Sequence, residues 1–78
     1  MNELTVEEKV LLLGLWKRER DENLRDILLM LENARVFTVK EGKRLVRKLR
    51  DEGYLKEGEL TLQGIGAAQA AEAEFKLP

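Results

Sequence analysis

The chain contains no cysteine and no histidine. The first absence excludes a disulfide framework and a thiolate metal site, and the second removes the commonest general base together with the commonest metal ligand. Hydrolase triads and zinc sites are thereby excluded, and neither a metal nor a cofactor is expected. Long hydrophobic runs are also missing. The longest, Val10 to Trp16, is broken by Gly14, whereas a bilayer span needs roughly twenty apolar residues. No signal-peptide layout opens the sequence, so a cytoplasmic protein without membrane contact is expected. A single proline leaves helices uninterrupted, and with 78 residues, 44% of them apolar, one helix-rich domain over residues 1–78 is expected. A core of that size buries only roughly 60 to 65% of the unfolded surface, which makes self-association attractive.

What the sequence does have is charge, 14 basic against 15 acidic residues. A near-neutral total taken alone would discourage a polyanion partner, but the charges are not mixed evenly. Between Val39 and Arg50 stand Lys40, Lys43, Arg44, Arg47, Lys48 and Arg50 against Glu41 alone, six minus one, or plus five. The remainder, eight basic and fourteen acidic, carries minus six. A basic stripe on an acidic body is a directional feature of the kind that meets a polyanion.

Capping signatures divide the chain into elements. Thr5-Val6-Glu7-Glu8 and Thr38-Val39-Lys40-Glu41 both match a capping box. Helix 1 is predicted to run from there to about Arg20, and helix 3 from Val39 to about Glu52, where Gly53 supplies the left-handed residue on which helices commonly end. Asn23 caps helix 2, whose Leu24, Ile27, Leu28 and Leu31 follow the spacing of one buried face. Val36, Phe37 and Thr38 suggest a short edge segment between helices. Tyr54 to Lys56 and Glu59 to Leu62 read as short strands joined by Glu57-Gly58, a pair suited to a tight hairpin. An alanine-rich helix 4 follows from Gln63 through Leu77 to Pro78. No internal repeat or low-complexity linker interrupts this order.

On a helical wheel for helix 3, counting Val39 as zero, Gly42, Leu45, Val46 and Leu49 fall between about 240° and 360°, and Lys40, Lys43, Arg44, Arg47 and Lys48 between about 40° and 180°. One face packs and the other presents cations. Lys48 and Arg50 near the C-terminus would suit the helix dipole anyway, but Lys40 and Lys43 near the N-terminus work against it by roughly 0.3 to 1 kcal/mol each. A solvated face therefore accounts for only half the stripe. Helix 1 is apolar on more than one side. Leu11 and Leu15 are in excess of the Leu12, Leu13 and Trp16 side, so either helix 1 is the central helix or it meets a partner. The small residues Ala67 and Ala71 of helix 4 permit close approach of another helix, and Leu11, Leu15, Ala67 and Ala71 together form the expected homodimer interface. Trp16 is assigned to the core.

No reaction chemistry is legible. Glu57 with Glu59, and Glu72 with Glu74, lie on charged stretches with nothing set to shift them, and Gly64-Ile65-Gly66 lacks the βα context and the third glycine of a phosphate loop. An enzyme is not expected.

Three helices, a hairpin and a last helix, with Leu45-Val46-Arg47-Lys48-Leu49-Arg50-Asp51-Glu52-Gly53-Tyr54-Leu55 and Leu60-Thr61-Leu62-Gln63-Gly64 as the strongest segments, resemble the winged helix-turn-helix family of small bacterial and phage DNA-binding proteins. The resemblance covers most of the chain and implies a mainly α fold with a small β-hairpin wing. It also implies double-stranded DNA as partner and helix 3 in the major groove, with Lys40, Lys43, Arg44, Arg47 and Lys48 as DNA-binding residues. Transcription regulation is the implied role. The hairpin tip, Lys56-Glu57-Gly58-Glu59, departs from the basic wing tips of many such proteins by being short and net acidic. The alternative is a protein-interaction module or assembly adaptor of the same fold that binds no DNA.

Overall fold

The computed structural model describes residues 4–75. Its elements are α1 (Val6–Lys17), α2 (Leu24–Asn33), α3 (Val39–Asp51), β1 (Leu55–Lys56), β2 (Glu59–Leu60) and α4 (Leu62–Phe75). The fold is mainly helical, with one two-stranded antiparallel hairpin. No helix among the described residues is long and apolar enough to cross a membrane.

Local chemistry explains where these elements begin. The Thr5 hydroxyl accepts from the Glu8 amide at 3.2 Å while the Glu8 carboxylate accepts from the Thr5 amide at 2.8 Å. Thr38 and Glu41 repeat the exchange for α3. Asn23 and Asp26 do the same for α2, so all three helices start on reciprocal caps that satisfy otherwise orphaned amides.

Two of the helices also end alike. At the end of α3, the Gly53 amide donates to the Arg50 carbonyl and the Tyr54 amide to that of Leu49, with Gly53 at φ +88°. At the end of α2, the Arg35 amide donates to the Glu32 carbonyl and the Val36 amide to that of Leu31, and here Arg35 takes the left-handed position, φ +63°. Both are Schellman closures. Val36 and Phe37 accordingly form no strand segment: Val36 closes α2, and Phe37 is buried before Thr38 caps α3. Helix α1 stops at Lys17 instead of Arg20, because Arg18 turns to an extended conformation and donates to the Glu22 carbonyl.

The hairpin pairs Leu55 with Leu60 and Lys56 with Glu59, and its turn residues Glu57 and Gly58 both have positive φ, +52° and +79°. That is the primed geometry whose twist suits short antiparallel strands. Helix α4 starts one residue earlier than expected because Thr61 caps it, its hydroxyl accepting from the Gly64 amide and donating to the Gly53 carbonyl at 2.6 Å. Gly64 is required at this crossing, since a Cβ there would stand 2.1 Å from the Tyr54 carbonyl oxygen. The expected continuation of helix 4 through Leu77 to Pro78 lies outside the described residues.

The core joins Leu11, Leu12 and Leu15 of α1 to Ile27, Leu28 and Leu31 of α2, with Phe37, Leu49, Leu55 and Ala68 completing it. Helix α1 is central. It packs along α4 and also touches α2, α3 and β2. The expected homodimer interface is therefore corrected. Leu11 is fully buried, and Leu15 and Ala71 are buried within the single chain, while Ala67 is half-buried against the same core. Alanines at Ala68 and Ala71 let α4 approach closely enough to cover the apolar excess of α1 itself. Trp16, assigned to the core, stands at its edge, 36% exposed.

Candidate nucleic-acid interface

Helix α3 is held from three sides. Its inner face seats Leu49 in the core, with Leu45 and Val46 half-buried. Gly42 lies against α2 and the preceding turn, where a Cβ would come within 2.6 Å of Leu28 and 2.8 Å of Phe37. At its start the Val39 amide donates to the Glu32 carboxylate of α2 at 2.8 Å, and at its end the Gln63 side chain donates to the Glu52 carbonyl at 3.2 Å. The helix is thus a fixed rod whose rotation is set by packing.

That rotation brings four of the expected residues together. Lys40, Lys43, Arg44 and Arg47 are all exposed and line one shallow depression. None of the four forms an ion pair among the described residues. The nearby acid, Glu41, is engaged by the Thr38 amide and hydroxyl, which hold its carboxyl below the usual range, with Arg44 adding to the effect. Four cations without an ion pair among the described residues, over about two helical turns, make a directed positive surface.

Lys48 does not belong to this group. Its ammonium lies 3.0 Å from Oε2 of Glu8, a residue with no solvent exposure at all. Burial pushes the Glu8 carboxyl up, but the Thr5 amide, the Lys48 ammonium and the Thr5 hydroxyl together outweigh it and hold the group below its ordinary value. Glu8 in turn raises Lys48. Sequence reading places Glu8 in the cap of α1 but misses its burial and its ion pair. The signal for burial was the spacing Glu8, Leu11, Leu12, Leu15, which places an acid on the buried stripe of α1.

The hairpin tip is tied to the body. Arg18 pairs with Glu59 while also bonding the Glu22 carbonyl, so the tip is joined to the end of α1. Lys56 and Glu57 are exposed beside it. Comparison of the chain with protein-family models, curated proteins and solved structures returns no match.

Proposed function

We propose that the protein is a winged-helix DNA-binding protein, a small transcriptional regulator of bacterial or phage type, with α2 and α3 as its helix-turn-helix and α3 in the major groove. The observation that carries this reading is the row Lys40, Lys43, Arg44 and Arg47, exposed on a rigid helix and free of ion pairs among the described residues. The forked guanidinium groups of Arg44 and Arg47 suit guanine O6 and N7, and Lys40 and Lys43 neutralise phosphates. The hairpin tip sets Glu57 and Glu59 beside its one cation, Lys56, and is held by Arg18, so affinity is expected mainly from α3.

Titration of a labelled duplex by fluorescence anisotropy at low salt tests the reading. Binding in the micromolar range that weakens linearly in log salt is expected, and no binding at tens of micromolar protein would reject DNA as the partner.

A further inference from the structure

Glu8 is a fully buried carboxylate with two oxygens in different roles. Oε1 completes the cap of α1 by accepting from the Thr5 amide at 2.8 Å. Oε2 is buried without an aligned hydrogen bond, and its counter-ion is the Lys48 ammonium at 3.0 Å. The contact crosses from the first turn of α1 to the C-terminal half of α3 and is the one ion pair between these helices among the described residues. On the wheel of α3, Lys48 lies at about 180°, one edge of the cationic arc, about 60° from Leu45 on the apolar arc. It therefore borders both the outer row and the body. Half of its side chain is still exposed, which leaves it able to turn outward once released.

We propose that Glu8 is a positioning residue that holds Lys48 against α1 and so withdraws a fifth cation from the polyanion contact of α3. The inference rests on the DNA-binding reading. A buried carboxylate that loses its counter-ion is strongly disfavoured, so Lys48 stays with Glu8 while the four outer cations engage phosphate or base. Lys48, expected from sequence to touch DNA, becomes an internal strut.

The salt dependence of binding to a random-sequence duplex counts phosphate neutralisations, each worth about one unit of slope. Lys43→Ala is expected to shallow the slope by about one unit, whereas the double variant Glu8→Gln with Lys48→Met keeps the wild-type slope. Glu8→Gln alone keeps an oxygen for the Thr5 amide but frees Lys48, and the slope should steepen by up to about one unit. A double variant that shallows like Lys43→Ala, or a Glu8→Gln slope equal to wild type, overturns the proposal. Should Glu8→Gln not fold, the double variant against Lys43→Ala decides alone, because it replaces the pair by two neutral groups. Thermal melts of the singles and the double read the ion pair without DNA: coupled losses are expected, and additive ones count against the strut. If wild type binds no duplex, the function reading fails, and the melts still decide whether Glu8 holds Lys48.

Discussion

Along the junction of α1 with α4 and the hairpin, Lys9 meets Glu74 at 2.8 Å, Lys17 meets Glu72, and Arg18 meets Glu59. Along the outer face of α3, Lys40, Lys43, Arg44 and Arg47 form no ion pair among the described residues, and Arg44 acts on the cap acid Glu41 only at longer range. The residue types are the same on both flanks, and the protein as a whole is almost neutral. What differs is whether a neighbouring element brings a carboxylate within reach. On the first flank α4 and β2 do so, and the charges serve to register α1 against both. On the second, the Thr38 amide and hydroxyl engage the nearby acid, Glu41, as part of the helix cap. Lys48 sits between these cases, a cation of α3 taken up by the body. Availability of charge, more than its count, separates the two flanks.

The comparison breaks most completely if the shared support is removed. Leu11→Glu places a carboxylate in a site with no exposure, and at a cost of more than about 3 kcal/mol the domain should lose its helical circular dichroism. An intact spectrum would return Leu11 to a surface role. Next in size, Arg44→Glu with Arg47→Glu should weaken duplex binding by about 100-fold or more while leaving the melting temperature near wild type. Lys9→Glu with Lys17→Glu should do the reverse, lowering the melting temperature and leaving binding within about threefold. Equal effects of the two pairs on binding would erase the distinction.

Acid sharpens the comparison, since Glu8 and Glu41 are held below their ordinary value of 4.5 in the folded state. The unfolded chain then binds more protons, so stability is present above about pH 4.5 and falls as pH drops through the lower folded values. Lys48, raised above 10.5, acts oppositely: its contribution is present at lower pH and is lost only as pH rises through its folded value. Urea unfolding at about pH 7, 4 and 3 should show this loss, with a shallower acid limb in Glu8→Gln. The smallest effect belongs to Lys9→Ala, whose partner Glu74 is exposed, with a change below about 0.5 kcal/mol in the same assay.

Much of the α3 region was legible because its cues are local. The Thr38-Glu41 cap, the opposed arcs of the wheel and the Glu57-Gly58 turn each depend on residues a few positions apart. The end of α2 was not legible, because Arg35 occupies a left-handed position where glycine is the usual sign. The reciprocal cap of α2 escaped because aspartate replaces the longer acid of the common signature. For α1, apolar residues surround the wheel, and only the approach of α2, α4 and the hairpin decides which arcs are covered. That is why Leu11 and Leu15 were assigned outward and Trp16 inward. Glu8 was read from its position in a cap, and nothing local announces that Lys48, forty residues later, supplies its counter-ion.

The packing of α1 on α4 has a consequence for how the chain assembles. Lys9 and Glu74, which face each other across it, are separated by 65 positions. Closing so long a loop costs entropy before its contacts repay it, while α2, its turn, α3 and the hairpin are joined by short connections. The segment that carries the basic row can form early, but the core around Leu11 and Leu15 is complete only when α4, the main packing partner of α1, arrives. Docking of the last helix is thus the step that seals the core. Loss of α4 by fraying or cleavage would open the domain from its centre, and the platform beneath α3 would go with it.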